Sequence, residues 1–118
     1  MTDKIPTEHY EQARLVMWFR QTYRPMRIFA IPNGGYRSKA AAAQLKVEGV
    51  SPGIPDLFIP ALKLWIEMKR IRGGRVTKEQ RDWIKYLASN GYTCFVCFGA
   101  EDAKLKITDY IKEYQNET

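Results

Sequence analysis

The chain has 118 residues, 45% of them hydrophobic and 13% aromatic, enough for one packed core and too short for two. That composition excludes a disordered chain, and no apolar run approaches the ~20 residues of a membrane span. The net charge of +6 is uneven: residues 14 to 85 hold 15 Lys/Arg against 5 Asp/Glu, while the flanks together hold 4 against 8, so the basic centre suits a polyanionic partner.

The opening residues, MTDKIPTEHY, are too polar for a signal peptide, so the expected location is the cytoplasm, in association with nucleic acid. Thr7 is placed to cap a helix from Glu8 to Tyr23, which Pro25 stops. Leu15, Trp18, Phe19 and Thr22 form its inward stripe at i, i+3, i+4, i+7. One turn back along that stripe is Glu11 and another turn back is Glu8, so either carboxylate can lean over the edge of a sheet packed below. Both also suit the positive end of the helix dipole.

Met26 to Pro32 reads as a first strand, and Asn33-Gly34-Gly35 as a turn needing positive φ, followed by Tyr36-Arg37. Such a glycine turn has exposed amides and, with Arg and Tyr beside it, admits a phosphate backbone closely. It is not a nucleotide-binding P-loop, because no Gly-Lys-Ser/Thr follows, and no nucleotide cofactor is expected. Ser38 to Val47 is a short helix ending at Gly49, expected to pack its alanines on the sheet and to expose Arg37, Lys39 and Lys46. Ser51-Pro52-Gly53-Ile54-Pro55 is a stiff, tight approach to Asp56, with two prolines and a glycine lowering the entropic cost of holding that residue still.

The stretch from Gly53 to Lys69 then organises the chain. Asp56 to Pro60 and Leu64 to Arg70 read as the two arms of a hairpin. Alternation along a strand puts Glu67 and Lys69 on one face, and a turn centred between Ala61 and Leu62 sets Asp56 directly opposite Glu67. Two converging carboxylates are costly to bury without a cation, and hard Mg²⁺ is held by one or two carboxylates together with substrate phosphate. The cluster therefore reads as a metal-dependent phosphodiesterase site. Arg70, Arg72, Gly73, Gly74 and Arg75 follow as a basic loop placed to grip phosphates beside it.

Thr77-Lys78-Glu79-Gln80 is a capping box opening a helix from Thr77 to Asn90, with Trp83, Ile84 and Leu87 assigned to the core. Gln80 thus has a structural role, satisfying the Thr77 backbone N–H. Tyr92 to Phe98 is the last strand, and Ala100 to Tyr114 holds one or two closing helices with Ile107, Tyr110 and Ile111 inward. Cys94 and Cys97 spell C-x-x-C, but positions three apart on a strand face opposite ways, so both read as buried structural thiols.

The order is α-β-α-β-β-α-β-α around a small mixed sheet, with a helical crossover before the last strand. Pro55-Asp56 followed by Glu67-Met68-Lys69 resembles the PD-(D/E)xK nuclease signature. Asn33-Gly34-Gly35-Tyr36-Arg37, Gly49-Val50, Gly53-Ile54-Pro55-Asp56, Ile66-Glu67-Met68-Lys69 and Gln80, in that order, resemble the virus-type replication-repair nuclease (VRR-NUC) family over roughly residues 8 to 100. The resemblance implies one domain over residues 1–118, an α/β fold with a restriction-endonuclease-like core of about four strands flanked by helices.

It also implies Mg²⁺ or Mn²⁺ at Asp56 and Glu67, with the Met68 carbonyl as a further ligand, and an acidic residue from the first helix. Glu11 is the residue carried over for that place, with Glu8 as its alternative. Lys69 is the expected catalytic cation and Gln80 a residue orienting it or a water. Asn33, Gly34, Gly35, Tyr36, Arg37, Lys39, Arg70, Arg72 and Arg75 are the expected DNA contacts. The implied activity is structure-selective DNA cleavage, foremost at a four-way (Holliday) junction by a homodimer. A flap or splayed-arm nuclease and a non-cleaving DNA-binding subunit are the alternatives.

Overall fold

The computed structural model describes residues 4–32 and 38–116, so Asn33, Gly34, Gly35, Tyr36 and Arg37, expected to form the phosphate-admitting turn, lie outside the described residues. The elements are α1 (Glu8–Thr22), β1 (Phe29–Ala30), α2 (Lys39–Val47), β2 (Leu57–Ile59), a 3₁₀ turn (Pro60–Leu62), β3 (Leu64–Lys69), α3 (Lys78–Ser89), β4 (Thr93–Phe98) and α4 (Ala100–Asn116). This is the expected order, with the closing segment a single helix. No helix among the described residues is long and apolar enough to cross a membrane.

The four strands make one mixed sheet in the order β1-β2-β3-β4. β1 and β2 are antiparallel, as are β2 and β3, while β4 runs parallel to β3 after the α3 crossover. On β3, Leu64, Ile66 and Met68 turn to one face and are fully buried with Leu57 and Ile59 of β2, Leu15 and Phe19 of α1, and Ala103 and Ile107 of α4. Trp65, Glu67 and Lys69 take the other face by alternation. The apolar layer between sheet and helices anchors the polar face above it.

Local sequence explains three of the four helix starts. Thr7 accepts from the Tyr10 N–H, Ser38 from the Ala41 N–H, and Thr77 from the Gln80 N–H with the reciprocal bond of a capping box. Five expectations need correction. Thr22, placed on the inward stripe of α1, is exposed. The first strand is only Phe29–Ala30, since it lies at the sheet edge and pairs on one side alone. Helix α2 buries none of its residues, and its alanines face solvent instead of the sheet. Ala40 to Ala43 supply helix propensity, which needs no packing partner to be expressed. In α3, Leu87 alone is buried, while Trp83 and Ile84 are half-buried at the sheet margin. Finally, Cys97 is buried but Cys94, on the less covered face, is half-buried; both are free thiols.

Candidate active site

Asp56 stands one residue before β2, and three strands fix it. The Ile31 N–H of the β1 side donates to its carbonyl (2.8 Å), and the Met68 N–H of β3 donates to its Oδ2 (2.7 Å). The β2–β3 register pairs Leu57 with Ile66, so one further step sets Asp56 opposite Glu67. That is the register counted from the turn, although the chain reverses through a 3₁₀ turn ended by Lys63 in the left-handed region (φ 50°).

Glu67 is buried (2% exposed) and Lys69 nearly so (6%). The Lys69 Nζ lies 3.3 Å from Glu67 Oε2 and donates to Gln80 Oε1 at 2.8 Å. Gln80 completes the bridge by donating from Nε2 to Glu67 Oε2 (3.0 Å), while its Oε1 also accepts from the Thr77 N–H (2.9 Å). Its two expected roles are therefore one arrangement. The capping box holds the amide in the orientation that grips both Glu67 and Lys69.

The third carboxylate is Glu8. Oxygens of Glu8, Asp56 and Glu67 all lie within 4.8 Å of one another, the one such acidic group among the described residues. Glu11 is elsewhere: fully buried, it accepts from the Ala100 N–H (2.9 Å) and from Arg14 (3.1 Å). It sits on the first amide of α4, where an anion meets the positive end of the helix dipole. The reason is one helical turn. Glu8 starts α1 and overhangs the end of the sheet, whereas Glu11 is drawn in between α1 and α4. Gly99 makes room for it, since a Cβ there would stand 2.5 Å from Glu11 Oε2, and its φ of +92° is itself a glycine conformation.

Crowding of these acids shows in their protonation. Burial pushes the Glu67 carboxyl up to about 8, the Asp56 charge pushes the same way, and Lys69 opposes them. Asp56 is also raised by burial, against the Met68 N–H that stabilises its charge. Glu8 is raised by burial and then by Asp56. Three oxygen ligands whose negative charge is under-compensated by one lysine are a donor set suited to a hard divalent cation. The cysteines make a poor soft-metal site by contrast. Burial pushes both thiols up to about 12, and no histidine or cysteine joins a metal-capable group among the described residues.

Among the residues expected to contact DNA, Lys39, Arg70, Arg72 and Arg75 are all exposed. Arg70, Arg72 and Arg75 leave directly from the Lys69 end of β3, and Arg70 reaches the Ile5 carbonyl at 3.4 Å. Lys39 opens α2 at a distance in sequence from the carboxylates.

A short antiparallel pair, a helical crossover and a parallel fourth strand, with acids at the strand ends, define a restriction-endonuclease-like core. Residues 3–101 match the VRR-NUC domain family, and the chain belongs to that nuclease family. A solved structure of a VRR-NUC domain protein is 29% identical, covers 93% of this chain and 92% of its own, and superposes with a TM-score of 0.79. No curated protein matches the chain.

Proposed function

We propose that the chain is a divalent-metal-dependent, structure-selective DNA endonuclease that resolves four-way junctions as a homodimer. The observation that carries this reading is the convergence of Glu8, Asp56 and Glu67 beside a Lys69 held by Gln80. Mg²⁺ or Mn²⁺ would be held by the three carboxylates, with the Met68 carbonyl as a further ligand. Met68 supports this because its N–H already points to Asp56, and a strand residue turns its carbonyl to the same edge. Such a cation supplies positive charge at the scissile phosphate and acidifies water near it.

The remaining work falls to the chain's own groups. Asp56, pinned by the Met68 N–H, and Glu67, gripped by Gln80, hold their oxygens in place before substrate arrives. The Lys69 ammonium orients the attacking water and meets the negative charge that grows on the phosphate oxygens in the transition state. Gln80 keeps that ammonium aimed, so little reorganisation remains to be made during the reaction. Arg70, Arg72 and Arg75 hold the backbone next to the cut. A four-way junction offers two symmetry-related scissile strands, and paired cuts in it match a two-fold dimer carrying one such site per copy.

The test is cleavage of labelled four-way junction, splayed arm, 5′ flap, duplex and single strand with Mg²⁺ or Mn²⁺, by wild type and Lys69→Ala. Paired symmetric cuts confined to the junction are expected, falling at least ~10²-fold in the variant while circular dichroism and gel-shift binding hold. Cuts mainly in flaps or splayed arms would reassign the substrate to a repair-type nuclease, and binding without metal-dependent cutting would remove the mechanism.

A further inference from the structure

A groove of about 540 Å³ runs between α1 and β1, with His9, Gln12, Met17 and Arg20 along the helical wall and Phe29 and Ala30 on the strand wall. A second hollow of about 390 Å³ continues it, sharing Arg20 and Phe29 and adding Arg27. Each wall is tied at one end to a residue of the acidic cluster. His9 follows Glu8 directly, and Ala30 precedes Ile31, whose N–H is bonded to the Asp56 carbonyl. Among the described residues the lining carries two arginines and no carboxylate. Met17 is 62% exposed and Phe29 44%, and Phe29 is braced edge-on by Phe58 (5.8 Å, 80°).

We propose that this groove is the track of one DNA strand leaving the cut, an inference that rests on the nuclease reading above. The charge decides the occupant. Arginines without a neighbouring acid favour a polyanion, and an apolar protein segment would gain nothing from them. Arg20 is anchored by donating from Nη2 to the Ile28 carbonyl (3.2 Å), which uses one of five donors and leaves the rest for phosphate. Phe29 is a fixed ring on which a base stacks, and the Met17 thioether meets sugar or base without a directional demand. From His9 to Arg20 the helix rises about 16 Å, the length of a few nucleotides. The groove lies along the β1 edge of the sheet and the Arg70–Arg75 loop leaves the end of β3, two strands across, so the two are placed to hold the backbone at separate points beside the carboxylates.

The test compares wild type with Arg27→Glu, Met17→Glu and Phe29→Ala, all at exposed positions, after melts confirm folding. Anisotropy of labelled oligothymidylate and four-way junction is measured in EDTA over a salt series, and cutting in Mg²⁺. Expected are a loss of about tenfold in affinity for Arg27→Glu, with the slope against log salt reduced by about one. Phe29→Ala weakens the oligothymidylate by a similar factor with its salt slope kept. Unchanged affinity in all three variants, with the wild type binding and cutting, would overturn the strand track and leave the nuclease intact. Self-association lost in Met17→Glu with DNA affinity kept would give the groove to protein. A wild type that binds no DNA would take down the nuclease reading itself.

Discussion

Glu8 and Glu11 are the same residue type on the same helix face, three positions apart, yet their surroundings assign them different work. Glu8→Gln keeps the shape but removes one charge of the proposed metal site, so cutting is expected to fall at least ~10²-fold with the melting temperature held or raised. Glu11→Gln strips a charge from the α4 amides and leaves Arg14 half-paired, so a loss of about 1–3 kcal/mol in folding stability is expected, with cutting by the folded fraction retained. Urea titration alongside the cleavage rate separates the two. If Glu11→Gln lost activity at full stability, the assignment would be reversed.

Glu67 adds a pH dependence of definite sign. Its folded pKa, about 8, lies above the ordinary 4.5, so between those values the folded chain keeps a proton that the unfolded chain has released. The Glu67 contribution to stability of the metal-free protein is therefore fully present below about pH 4.5 and is lost as pH rises toward 8, by at most ~1.4 kcal/mol per pH unit for one proton. Melts in EDTA between pH 5.5 and 8.5 should show this fall, and Glu67→Gln should flatten it. A rise over that range in the wild type would contradict the burial argument.

At the scale of elements, the hairpin and the approach to it set the geometry. Gly53 has φ +91°, and a Cβ there would stand 2.6 Å from the Glu79 backbone carbonyl carbon. The Asp56 approach thus packs directly against the first turn of α3, the turn that carries Gln80. Gly53→Ala must strain the backbone and push that turn away, at a cost of about 2 kcal/mol or more. It is expected to lower the urea midpoint and to slow cutting even where the chain is folded, because Gln80 no longer reaches Lys69. Full activity in the folded variant would show that the α3 turn has slack the structure does not suggest.

For the molecule as a whole, the acidic cluster is a local destabilisation that a bound cation would relieve under the proposed function. Binding only the folded state at about 100 times the dissociation constant stabilises by about 2.7 kcal/mol, which for a chain of 118 residues raises the melting temperature by roughly 10 °C. Mn²⁺ and Mg²⁺ are expected to produce this shift in wild type and to lose most of it in Asp56→Asn. A shift equal in both proteins would place the ion elsewhere. The same scale explains α2, whose exposed alanines and Val47 (89% exposed) stand apart from the one core.

Much of the site could be counted from the chain itself. Strand alternation put Glu67 and Lys69 together, and summing positions about a turn set Asp56 opposite Glu67. Thr7, Thr77 and the glycine and proline stops marked helix ends, because capping and periodicity act over three or four residues. The choice between Glu8 and Glu11 depended on where the α4 amides came to rest, 89 residues along the chain from Glu11. Likewise, an alanine-rich helix encodes helicity but no address on the sheet, so only packing decided that α2 stands free. The groove between α1 and β1 has walls from separate elements, joined by no pattern in sequence. Local backbone rules are written residue by residue, whereas the surroundings of a charge are made by whatever the fold brings against it.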